Sequence, residues 1–97
     1  ESKYMEPLEA RLLVGSYENQ IMGKAVITKE EDDILFITIG PLGWKHELEN
    51  LNGNKYIFES DGHLFPVEFN LNKKGEKVVS MSVDLGHGEN LGDWKKK

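Results

Sequence analysis

Ninety-seven residues are enough for one domain and too few for two, and a composition of 38% hydrophobic and 30% charged residues fits a folded domain with a solvated surface. The formal net charge of -5 argues against a nucleic-acid partner, because phosphate contacts need clustered Lys and Arg. With no Cys there are no disulfides, thiolate nucleophiles or Cys-ligated metals, and no apolar run approaches the ~20 residues of a membrane-spanning helix.

Glycines punctuate the chain into short apolar stretches, a pattern of hairpins. Before them, Pro7 to Val14 carries Leu8, Leu12 and Leu13, with Pro in front and Gly15 behind, which predicts one short helix. Strands are then expected over 15–19 and 23–29, the second with Ala25 and Ile27 on one face. An acidic turn, Glu30 to Asp33, leads to a third strand over 34–39, with Leu35, Ile37 and Ile39 sharing a side. After the Gly40-Pro41-Leu42-Gly43 turn, a strand over 44–51 alternates Trp44, His46 and Leu48 with Lys45, Glu47 and Glu49. Asn52-Gly53 is a strong hairpin signal, followed by strands over 55–59 and 64–71 with a turn at Ser60-Asp61-Gly62. Pro66 lacks an amide donor and should sit at an edge, a bulge or a strand's start. A polar loop at Asn72 to Glu76 precedes a seventh strand over 78–85, with Val79, Met81 and Val83 on one face. Gly86-His87-Gly88 should turn, and Glu89 to Lys95 should close the sheet around Trp94. Lys95-Lys96-Lys97 reads as a frayed, solvated tail.

The expected fold is all-β: an eight-stranded antiparallel up-and-down barrel with one short N-terminal helix. Closure removes the edges that an open sheet would expose, and a sandwich is the alternative. Residues 1–6 are expected to be a linker or tail, 7–95 the domain and 96–97 a tail.

No catalytic motif emerges. None of Ser2, Ser16, Ser60, Ser80 and Ser82 is followed three residues on by Lys, and there is no Gly-x-Ser-x-Gly elbow, no Lys-Thr-Gly and no phosphate-cradling glycine loop. Ser80 and Ser82 read as exposed strand serines. His46, His63 and His87 have no metal-site spacing, and Glu30 to Asp33 lacks the pattern of a calcium loop. Neither metal nor cofactor is expected, nor is the isolated chain expected to be an enzyme. The aromatics should fill the barrel. If they line a cavity instead, the candidate ligand-binding residues are Trp44, Leu48, Tyr56, Phe58, Phe69, Met81 and Trp94.

The stretch Leu8 to Asn19 (LEARLLVGSYEN), followed by Gly23 before a strand, resembles the start of a known family. This is the lipocalin-like domain found at the C-terminal end of many beta-lactamase-like, penicillin-binding-protein-related serine hydrolases. Leu51-Asn52-Gly53-Asn54-Lys55-Tyr56 resembles that family's strand end, turn and aromatic. Val67-Glu68-Phe69, with the polar turn Asn72 to Glu76 and then Lys77-Val78, is similar to its late hairpin. Asp93-Trp94-Lys95 stands where an aromatic and a basic residue close its barrel. A Trp common in the family is replaced here at Leu51-Asn52.

The resemblance runs from about Leu8 to Lys95. It implies a non-catalytic accessory barrel whose partner is a catalytic serine hydrolase domain in the same parent chain, modulating substrate access or homo-oligomer contacts. Phe36 and Leu42, with Ile34, are the candidate partner contacts. The family context implies a cell-envelope or secreted setting, with a cytoplasmic one also represented. The alternative function is a stand-alone binder of a small apolar ligand; nucleic acid and membrane insertion are not expected.

Overall fold

The helix expected after Pro7 is a single turn, α1 (Ala10–Leu13), in which the Leu12 amide donates to the Glu9 carbonyl and the Val14 amide to that of Ala10. One turn cannot hold itself in water, so packing must hold it. Leu13 is fully buried, Ala10 and Leu12 lie against the core, and the buried Tyr17 hydroxyl donates to the Leu13 carbonyl at 2.7 Å. The computed structural model describes residues 9–40, 42–84 and 93–97, so Pro7, Leu8, Pro41 and the Gly86-His87-Gly88 turn lie outside the described residues.

Eight strands follow: β1 (Gly15–Asn19), β2 (Gly23–Lys29), β3 (Leu35–Ile39), β4 (Trp44–Asn52), β5 (Lys55–Ser60), β6 (His63–Leu71), β7 (Val78–Val83) and β8 (Trp94–Lys96). Each pairs antiparallel with the next, and β8 returns to β1, closing the barrel as the alternation predicts. The β5–β6 hairpin shows the local chemistry plainly. Ser60 pairs with His63, and the residues between, Asp61 and Gly62, both take positive φ (52° and 77°), as a tight twisted hairpin demands.

Alternation sends one side chain in two to the interior. There Phe69 is the hub: Tyr17 meets it edge-on at 6.1 Å between ring centroids and Tyr56 at 5.3 Å. Leu13, Ala25, Ile27, Leu35, Ile37, Leu48, Phe58, Val67, Val78, Met81 and Trp94 pack with them in the cluster. This connectivity places the β1–β2, β3–β4 and β5–β6 turns at one end, the mouth. The helix, the β4–β5 turn, the β6–β7 loop and the C-terminus lie at the other.

Four expectations need correction. Leu71 pairs with Val78 and Asn70 with Ser80, so Val79 is an extra residue in a bulge. The inward position therefore belongs to Val78, 4% exposed, while Val79 is 47% exposed and does not share the face of Met81. Ser80 is buried rather than exposed, and Ser82 is half-buried. Both hydroxyls accept from the Asn70 amide, at 3.0 and 3.3 Å, and Ser82 donates to the Asp93 carboxylate at 3.1 Å. Pro66 lies mid-strand in β6, paired with Ile57 on β5. Its carbonyl accepts from Asp84, so its nitrogen also faces the β7 side, just past the last β7 residue, where a missing donor breaks no strand pairing.

The terminal lysines are no frayed tail: Lys95 and Lys96 belong to β8. The Lys96 ammonium donates to the Leu12 carbonyl at 2.9 Å, the Lys97 amide donates to Ser16, and the Lys97 ammonium pairs with Glu18 at 3.0 Å.

Burial pushes the Tyr17 phenol far above its ordinary range, because the phenolate would lose its hydration. The stability contributed by the neutral phenol is complete below the unfolded value, near pH ~10, and is lost as pH rises beyond it. Tyr17→Phe is expected to cost about 1–2 kcal/mol at neutral pH, through the hydrogen bond to Leu13. Its stability should also fall less between pH ~9 and ~11 than that of the parent chain. Urea unfolding at the two pH values checks both; parallel losses would contradict the buried, neutral phenol.

Candidate functional site

Where the inward faces of the hairpins reach the mouth, the core gives way to an apolar cup of about 340 Å³. Met22 from the β1–β2 turn, Ile39 ending β3, Leu42, Trp44 and His46 around the start of β4, Phe58 and Ser60 on β5 and Phe65 on β6 line it with Gly40. The register explains the convergence: Ile39 pairs with Trp44 and Phe58 with Phe65, so inward positions of neighbouring strands meet at one level. Asn19 fixes the Met22 side, its side-chain oxygen accepting from the amides of Ile21 and Met22, both at 2.8 Å.

Three rings form a row in this wall. The His46 imidazole stacks on Phe58 at 5.2 Å and 20°, and Phe58 meets Phe65 at 5.3 Å and 30°. Phe58 is buried, Met22, Ile39 and Phe65 are half-buried, and Leu42 and Trp44 stand at the rim, 75% and 57% exposed. Among the described residues, no charged side chain lines the cup. At the helix end, by contrast, a hollow of about 600 Å³ is bordered by charged Glu9, Arg11, Lys29 and Glu47 beside apolar Ile34, Leu35 and Leu48.

Of the candidate ligand residues, Leu48, Tyr56, Phe58, Phe69, Met81 and Trp94 pack together in the core, Phe58 also facing the cup, while Trp44 stands apart at the mouth. Of the candidate contacts, Leu42 is open to solvent. Phe36 is half-buried on the outer face, with the Lys45 ammonium 4.6 Å from its ring centroid and paired with Glu30; Ile34 is exposed near the helix. Met22, Ile39, Gly40, His46, Ser60 and Phe65 were not among the sequence-based candidates. Phe65 alternates with Val67 and Phe69 along β6, a period-two signal that could have marked it as inward-facing, but no local pattern places it in one cup with Trp44. Among the described residues, no group of three or more His, Asp or Glu stands close enough to hold a metal ion.

No protein-family model matches the sequence, and no curated protein matches it. Among solved structures, the chain is similar to the crystal structure of the C-terminal domain of penicillin-binding protein Rv0907. The TM-score is 0.80 at 19% identity, over 98% of this chain and 91% of that one. At that identity the likeness establishes the fold, an eight-stranded closed barrel.

The two tryptophans separate core from rim. Trp94→Ala should cost about 3–5 kcal/mol by emptying a packed aromatic site. Trp44→Ala should change stability by about 1 kcal/mol or less, since most of its ring is in water. Chemical denaturation of both variants checks this, and a large loss on removing Trp44 would place it in the core.

Proposed function

We propose that this barrel is a non-catalytic accessory domain of a penicillin-binding-protein-related serine hydrolase. It would be carried in one polypeptide with the catalytic domain and act by shaping substrate access or contacts between copies. The observation that carries this reading is the fold likeness, over nearly all of both chains, to a domain named as the C-terminal domain of a penicillin-binding protein. The sequence resemblance from Leu8 to Lys95, to the lipocalin-like domain of such hydrolases, supports the same assignment.

An accessory domain needs a rigid body and a sticky face. Rigidity follows from the closed, aromatic-filled barrel. The face we assign to the partner domain is the rim around Leu42 and Trp44, where large apolar side chains stand in water. Phe36 is less suited to that role, because Lys45 already covers its ring.

The native polypeptide tests the reading. An antibody raised against this chain should detect, in extracts of the source cells, a protein larger than 11.1 kDa by the size of a catalytic domain. That protein should acylate with a fluorescent penicillin outside the barrel. A native protein of the size of this chain alone would contradict the proposal.

A further inference from the structure

The cup at the mouth has a chemistry that docking does not require. We propose that it is a binding site for a small, uncharged aromatic molecule of one or two rings. The site is a property of this chain alone, and it stands whether or not a hydrolase domain accompanies the barrel.

Volume sets the size of the guest. About 340 Å³ lies at the low end of small-molecule sites, which run from ~300 Å³ upward. The floor is closed by Phe58, itself part of the packed core, so the guest is short and compact rather than a long chain threading the barrel. Charge sets its ionic state. Among the described residues the lining offers no Lys, Arg, Asp or Glu, so a charged guest would lose its hydration with no counter-ion from them in return.

Shape and polarity narrow the class further. The row of His46, Phe58 and Phe65, with Trp44 at the rim, offers several aromatic surfaces for offset or edge-on contact with a planar ring. Among the described residues, the Ser60 hydroxyl and the His46 imidazole are the polar side-chain groups of the lining. Each can exchange one hydrogen bond with a ring hydroxyl or ring N–H, which favours phenol-like and indole-like guests over pure hydrocarbons.

The test is a titration of the ¹⁵N-labelled chain with 2-naphthol, and separately with the anion 2-naphthoate, at neutral pH. Saturable shifts are expected with 2-naphthol below about 1 mM. They should centre on the amides of residues 39, 40, 42–46, 58–60 and 65, with 2-naphthoate about tenfold or more weaker. Two variants address the cup directly. Ser60→Met fills it without removing a core side chain, and Trp44→Ala removes part of its rim. Either is expected to weaken 2-naphthol about tenfold while cooperative melting is kept. Absence of saturation, shifts centred elsewhere, equal affinity for the anion, or unchanged affinity in both variants would each overturn the proposal.

Discussion

Closure of the sheet by its shortest strand is the constraint on which the rest of this barrel depends. β8 is three residues long and meets β1 at two register pairs, Tyr17 with Lys96 and Glu18 with Lys95. So few ladder bonds would fray alone. Trp94, opposite Met81, anchors the strand by burying an aromatic side chain of roughly 150–250 Å². Lys96 runs its apolar stem past Gly15 and ends on the Leu12 carbonyl, tying strand to helix. Gly15 permits this approach: its φ is +148°, and a Cβ there would stand 2.9 Å from the Lys96 side chain. With the seam closed, β1 and β7 are joined through β8 rather than left as two free edges.

The two ends of the barrel then differ in kind. At one, α1 lays Leu13 on the core and Tyr17 fastens it, so the helix acts as a plug within a charged surround. At the other, the hairpins carry apolar side chains beyond the packed cluster, and among the described residues nothing charged lines the hollow between them. A rigid body with one helix-capped end bordered by charges and one concave end lined by apolar side chains is suited to presenting the second end to something else. Both proposals draw on that asymmetry and share Trp44, one using the outer rim and the other the cup beneath it.

Much of the architecture was legible in the sequence, because turn chemistry and alternation agreed. Asp61-Gly62 forms its hairpin turn, the Asn52-Gly53 signal marks a turn that falls one residue later at Gly53-Asn54, and Ala25, Ile27, Leu35 and Ile37 face inward together. The misreadings share a cause: a local pattern cannot report what its neighbours do. Val78 to Val83 alternates plausibly in either phase, and only the pairing with Leu71 and Asn70 reveals the bulge that turns Val79 outward. The terminal lysines looked solvated because a charge has no visible partner until Leu12, Ser16 and Glu18 are brought beside it. Trp44 follows the inward phase of β4 yet lies at the strand's end, above the core, so period two gave its face but not its depth. The cup itself had no local signature, since its lining comes from three hairpins that meet only when the barrel closes.

The central claim, that β8 seals the barrel, is tested most directly by native-state hydrogen exchange at the seam. The account predicts that the β8 amides and the Lys97 amide, which donates to Ser16, exchange roughly 100-fold or more slower than an unstructured chain and open together with β2 and β3. Exchange at those positions as fast as in a free peptide, with β2 and β3 still protected, would mean an open sheet and contradict it.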